Sequence, residues 1–147
     1  MGFTISKASA ADRSDILGLL SLVGLPHDGV TDHVDDFFVA RDEKGQLIGC
    51  AGLERYDRLG LLRSVGVSPS HRGAGLGSEI TAALLAEAAK TGIKEVVLLT
   101  ATARDFFARR FGFAEADRAG YDERLSASQE WSLPRCSSAV FMRLRLT

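Results

Sequence analysis

The chain has 147 residues, with 18 Lys and Arg against 19 Asp and Glu, a net charge of −1 and a 46 % share of hydrophobic residues. That length suits one domain able to bury about two-thirds of its unfolded surface, and the balanced charge argues against nucleic acid or membrane as a partner. No apolar run approaches membrane-spanning length, the opening Gly2-Phe3-Thr4-Ile5 lacks a signal-peptide core, and Cys50 and Cys136 match no zinc spacing. A cytoplasmic protein with reduced thiols and no metal is expected.

Residues 3–7 read as a first strand. Ser9 and Asp12 stand in the three-residue relation of a capping box ahead of Ile16, Leu17, Leu19, Leu20 and Val23, an amphipathic helix that Gly24 and Pro26 end. Thr31 is expected to cap a second, short helix carrying Asp32, Asp35 and Asp36. Those acids either complement the helix dipole or draw in a cationic substrate. Residues 37–41 and 46–55 read as antiparallel strands joined by the turn Asp42-Glu43-Lys44-Gly45. Both faces of the second strand are apolar as far as Glu54, so it is expected to be central. Tyr56-Asp57-Arg58 then turns the chain into a strand over 59–67.

That strand runs into Ser68-Pro69-Ser70-His71-Arg72-Gly73-Ala74-Gly75-Leu76-Gly77-Ser78, a turn with three alternating glycines. Leu76, Ile80, Leu84 and Ala88 follow at helical spacing, and Gly92 is the stop. Glycines at a helix mouth let backbone N–H groups approach a ligand, and first-turn N–H groups have no intrahelical acceptor, so a phosphate-bearing ligand is expected. No Gly-Lys-Ser/Thr closes the loop, which excludes a Walker A site, and Ser78 stands where a dinucleotide fingerprint needs its third glycine. Beyond the helix, 95–100 is a continuous apolar strand and 102–111 a helix with Phe106 and Phe107 inward, ended by Gly112-Phe113. A further helix is expected over 122–130, then an irregular link at 131–134. Residues 138–146 alternate as a half-exposed strand.

With its apolar lead-in and Pro69, the glycine turn resembles the acyl-CoA pyrophosphate loop of the GNAT superfamily of N-acetyltransferases. Their Arg/Gln-x-x-Gly-x-Gly/Ala signature reads here as Arg72-Gly73-Ala74-Gly75-Leu76-Gly77. The element order is similar from end to end, which implies a single α/β domain over 1–147: a mixed, splayed sheet of about six to seven strands with helices on both faces. The resemblance implies acetyl-CoA as cosubstrate, lying where the strands before and after the loop helix part. Its pantetheine would pair with the backbone of Val65, Gly66 and Val67, and the Val65 N–H would face the thioester oxygen. Its pyrophosphate would lie on Arg72, Gly73, Ala74, Gly75, Leu76, Gly77 and Ser78, with Phe107 on the cofactor side. Arg72 either pairs with phosphate or covers the loop. Gly73, Gly75 and Gly77 are expected where a Cβ would clash.

An amine must be neutral to attack, so a base or water relay is needed. Glu54 is the candidate base; the other reading pairs it with Arg55, Arg58 or Arg63. Arg63, followed by Ser64, sits in an apolar strand and implies either a buried ion pair or an anion-recognition role. Gly52-Leu53-Glu54-Arg55-Tyr56, Gly60-Leu61-Leu62-Arg63-Ser64, Leu98-Leu99-Thr100, Phe106-Phe107 and Ser138-Ala139 are similar to small acetyltransferases encoded with arsenic-resistance operons. That likeness implies an amino-acid-like amine bearing a phosphinate or arsinate, held by Arg63, Ser64 and Arg135.

The family commonly places a tyrosine four residues before the glycine of Gly112-Phe113, where it protonates the leaving thiolate. Ala108 stands there, and Tyr56 and Tyr121 are the two tyrosines of the chain. Tyr56 reads as a turn residue, and Tyr121 is the remaining rival for the acid. Neither cysteine has a sequence-neighbour histidine, so direct transfer in a ternary complex is expected over a cysteine relay. The expected function is acetyl transfer from acetyl-CoA to a small-molecule amine, with a homodimer as the assembly considered. The alternatives are a catalytically silent acyl-CoA-binding module and a protein lysine or N-terminal acetyltransferase.

Overall fold

The computed structural model describes residues 2–133 and 139–146. Seven strands are hydrogen-bonded in the order β1-β2-β3-β4-β5-β7-β6 and flanked by helices. The chain forms two compact units, the first holding residues up to Leu53 with Arg63–Glu87, the second Glu54–Leu62 with Ala88 onward.

In the first unit β1 (Phe3–Lys7) pairs antiparallel with β2 (Phe37–Asp42), and β2 with β3 (Leu47–Tyr56). The Ser9 N–H donates to Asp12 Oδ2 at 2.9 Å, the expected half of a capping box, and one 3-10 turn (Ala10–Asp12) leads into α1 (Arg13–Val23). Arg41 donates to Asp12 and Asp15, at 2.7 and 3.0 Å, and its hydrogen bond holds the Asp12 carboxyl below the usual range. Ile16, Leu19 and Leu20 of α1 pack on Val30, Val34, Phe37, Val39 and Cys50. Gly24 closes α1 in the left-handed region at φ 75°, and the Leu25 N–H returns to the Leu20 carbonyl at 2.9 Å.

The expected cap at Thr31 is not the one used. Gly29, at φ 81°, precedes α2 (Val30–His33), and a 3-10 turn over Val34–Asp36 follows. Burial of Val30 and Val34, four residues apart, sets that phase and leaves Asp32 and Asp35 outside.

β3 is covered on both faces. Cys50 points into the α1 cluster, whereas a Cβ added at Gly49 would lie 2.6 Å from Ile80 of α3 (Leu76–Lys90). Gly52 carries the Phe37 ring directly: a Cβ there would come within 2.2 Å of it.

In the second unit Leu59–Leu62, the start of β4 (Leu59–Val67), pairs parallel with β5 (Glu95–Thr100). β5 pairs antiparallel with β7 (Val140–Arg145), and β6 (Ala114–Glu115), a two-residue strand not expected from sequence, pairs with β7. α4 (Arg104–Phe111) begins two residues later than its pattern suggests, because the Ala103 N–H is taken by Thr100 Oγ1 at 2.9 Å. Gly112 ends it at φ 83°.

The helix expected over 122–130 is absent; a 3-10 turn at Arg118–Gly120 leads into consecutive turns. Serine side chains interrupt the ladder there, as where Ser128 Oγ accepts from the Trp131 N–H at 3.1 Å. Tyr121, Leu125 and Trp131 nevertheless reach a core with Leu59, Leu61, Val97 and Phe141. Of the strand expected over 138–146, Ser138 lies outside the described residues.

Gly52→Ala should overpack Phe37, which has no exposed surface, and cost about 1–3 kcal/mol in urea unfolding. Phe37→Leu in the same chain should recover part of that loss, and an unchanged urea midpoint for Gly52→Ala would show that the ring moves freely.

Candidate functional site

The first unit contains the end of β4, the glycine turn and α3 as far as Glu87. The β5 ladder pairs Leu59–Leu62, the part of β4 that lies in the second unit. Past it, Ser64 takes a left-handed backbone at φ 59°, and Val65 and Val67 are half-buried on either side of buried Gly66. The Ser68 N–H donates to the Ile48 carbonyl at 2.8 Å, which ends the strand beside β3. Pro69–His71 is a 3-10 turn, with Ser70 Oγ 3.1 Å from His71 Nδ1.

Arg72 is extended and exposed, and its Nε donates to the Val67 carbonyl at 3.2 Å. Of its two expected uses, covering the loop is the one this bond serves. Gly73 and Gly75 have φ of 87° and 80°, and a Cβ at either would meet no protein atom. The protein's own demand for glycine here is therefore the sign of φ and not a clash, and the surface above is open. Ala74 between them is exposed.

Buried Leu76 anchors the first turn of α3, followed by half-buried Gly77 and Ser78. The Glu79 N–H reaches the Gly75 carbonyl at 3.1 Å, so the N–H groups of Leu76 and Gly77 lie ahead of that bond. A 15-residue helix directs its positive end at this open turn, an arrangement that suits an anion such as pyrophosphate.

Arg63 and Ser64 are buried, at 3 % and 8 % exposure. The Arg63 guanidinium donates from Nε to Ser64 Oγ at 3.0 Å, from Nη1 to the Asp28 carbonyl at 2.5 Å and from Nη2 to the Pro26 carbonyl at 3.2 Å. These donors therefore serve the loop that follows α1. Cys50 donates its S–H to the Ser64 carbonyl at 3.2 Å, and burial pushes its thiol up to about 12. Such a thiol is a hydrogen-bond donor and not a nucleophile.

In the second unit Glu54 has no exposed surface and accepts a 2.5 Å hydrogen bond from the Tyr56 hydroxyl. Tyr56, read from sequence as a turn residue, is the last residue of β3, and the two-residue spacing puts both side chains on one face. That Glu-x-Tyr spacing is the signal that finds the pair once the strand is extended by one residue.

Phe107 is buried, edge-on to Phe106 and Phe113 at 5.0 and 5.8 Å, so its ring is a core element of α4. Ala108 follows it, half-buried. The Tyr121 hydroxyl donates to Glu95 at 2.5 Å and accepts from Arg143 at 3.2 Å. Glu95 opens β5, about 17 Å of strand from Thr100 at its far end, so Tyr121 is committed to the opposite end of that strand. Arg135 lies outside the described residues. No helix among the described residues is long and apolar enough to cross a membrane, and no group of three or more His, Cys, Asp or Glu among them is arranged to hold a metal.

The family described as acetyltransferase (GNAT) domain matches residues 33–115, more than half of the chain. The uncharacterized N-acetyltransferase CT2212 of Chlorobaculum tepidum is 31 % identical over 99 residues, which are 67 % of this chain and 62 % of the relative. This chain thus spans under two-thirds of that relative's length. Rv2747 of Mycobacterium tuberculosis, solved in complex with CoA and NLQ, is similar with a TM-score of 0.79 and 26 % identity, covering 98 % of this chain and 99 % of the other. N-acetylglutamate synthase of Neisseria gonorrhoeae, solved with coenzyme A and N-acetyl-glutamate, shares the fold with a TM-score of 0.81 at 23 % identity, over all of this chain and 36 % of that one. The strand, the glycine turn and the matched family all converge, and the chain belongs to the GNAT acetyltransferase family.

Proposed function

We propose that this protein transfers the acetyl group of acetyl-CoA to the amine of a small, amino-acid-like, anionic acceptor, by direct transfer in a ternary complex. The observation that carries the reading is the glycine turn at the mouth of α3, with two left-handed glycines and open space above them. Acetyl-CoA, a substrate here, would lay its pyrophosphate on the N–H groups from Arg72 to Ser78 and its pantetheine along Val65, Gly66 and Val67. The Val65 N–H would stabilise the thioester oxygen as it gains charge.

The amine nitrogen attacks the thioester carbonyl, the C–S bond breaks, and CoA leaves as a thiolate. Glu54 is the base that this reading assigns to the proton lost by the amine. Tyr56 orients that carboxylate. The buried, strongly protonated Cys50 supports direct transfer over an acetyl-cysteine intermediate. An alkyl thiol of pKa about 8.5 leaves tolerably without a dedicated acid, which fits Ala108 standing where the family has a phenol.

The amino-acid-like acceptor is supported by the relative solved with N-acetyl-glutamate. A phosphinate or arsinate acceptor is a narrower form of the same proposal, drawn from sequence likeness, and Arg135 is a candidate for its anion. A cytoplasmic location and a homodimer are further parts of this reading. A second reading, a silent acyl-CoA-binding module, is favoured by the missing phenol at Ala108.

Release of free thiol from acetyl-CoA should be seen with at least one acidic amino-acid-like amine in a panel of amino acids, phosphinates, polyamines and peptides. CoA binding without thiol release from any of them would establish the silent module instead, and transfer confined to peptides would establish a protein acetyltransferase.

Gly75→Val should remove most of the stabilisation by acetyl-CoA, which for the native chain should be about 2.7 kcal/mol at 100 times Kd. An unchanged ligand-induced rise in Tm would move the pyrophosphate elsewhere.

The pH profile of kcat should rise as the amine loses its proton and then level. Tyr121→Phe should leave that profile in place while costing about 1 kcal/mol of stability for its lost hydrogen bond. A hundred-fold fall in kcat for the variant would make Tyr121 the acid after all.

A further inference from the structure

We propose that Cys50 and Arg63 are positioning residues that hold Ser64 in its left-handed backbone conformation and thereby aim the Val65–Val67 backbone. The inference rests on the reading of Val65–Val67 as the strand that receives acyl-CoA.

A non-glycine residue at positive φ is sparsely populated and persists only where its surroundings over-determine it. Two such residues occur among the described ones. Asp57 lies in the hairpin between β3 and β4, where a turn accounts for it, but Ser64 lies inside β4 at φ 59°. Both hydrogen-bonding ends of Ser64 are captured. Its carbonyl accepts from Cys50 Sγ at 3.2 Å and its hydroxyl accepts from Arg63 Nε at 3.0 Å.

The two captors are themselves fixed. Cys50 is wholly buried on β3, in the cluster that α1 covers. Arg63 is 3 % exposed and spends two further N–H groups on the Pro26 and Asp28 carbonyls. The same stretch of chain is pressed on β4 from its apolar side, since a Cβ at Gly66 would lie 3.2 Å from Val23 and 3.5 Å from Leu25. Ser64 is therefore held between a thiol below it and a guanidinium beside it, and the residue that follows is Val65. A planar fork with donors in fixed directions can span Ser64 and two loop carbonyls at once, which a lysine cannot reproduce.

The test is a double-mutant cycle with glycine, which takes positive φ without penalty. Cys50→Ala should weaken CoA binding about three- to tenfold by titration calorimetry in the native background, but less than about twofold when Ser64 is already glycine. Arg63→Lys should follow the same pattern. The same cycle read on the Val65–Val67 amide resonances needs no ligand: Cys50→Ala should shift them in the native background and leave them in place in the Ser64→Gly background.

Equal losses in both backgrounds, or no effect of Cys50→Ala in the native one, would overturn the proposal. A simple loss of packing would lower Tm equally in both backgrounds. If the native chain binds no CoA, the acyl-CoA reading of the strand fails, while the amide resonances still decide whether Cys50 and Arg63 hold the kink.

Discussion

The backbone of β4 changes hand at Ser64, a left-handed residue inside a strand and two positions beyond Leu62. Much of the candidate site in the first unit is arranged around that residue. Before it, Leu59 and Leu61 are core residues under Phe141 and Trp131. After it, the strand carries Val65, Gly66 and Val67 toward the glycine turn.

The glycine turn follows that change of hand within a few residues. The strand ends in a turn, and the helix that follows offers the positive end of a 15-residue dipole. Gly73 and Gly75 join the two because only an almost unhindered residue takes their φ cheaply. Arg72, bonded back to the Val67 carbonyl, ties the turn to the strand.

What is legible in the sequence is whatever depends on local backbone chemistry. Gly-x-Gly-x-Gly before a helical repeat, Gly24 and Gly112 as stops, and the apolar run of β5 each declare their geometry within a few residues. Positions decided by packing are less open to reading. The Thr31 cap gives way because burial of Val30 and Val34 chooses the helix phase, and the helix over 122–130 gives way because serine side chains take backbone partners. The kink at Ser64 leaves no trace in composition, since serine is an ordinary strand residue and its captors, Cys50 and Arg63, come from another strand and from a neighbour that reads as a charge out of place. The Glu54–Tyr56 pair is intermediate: the spacing is visible, but it takes meaning only once the strand is known to reach Tyr56.

Burial of Cys50 has a consequence for how this unit can be watched. With its thiol pushed to about 12 and no surface exposed, Cys50 carries almost no thiolate in the native fold at neutral pH, so alkylating reagents meet it only after β3 and its cover have come apart. The rate at which Cys50 is labelled is therefore a clock for opening of the unit that bears the glycine turn, and the slowing of that clock by a bound ligand measures, in the ligand's absence of any optical signal, how firmly the ligand holds the fold closed.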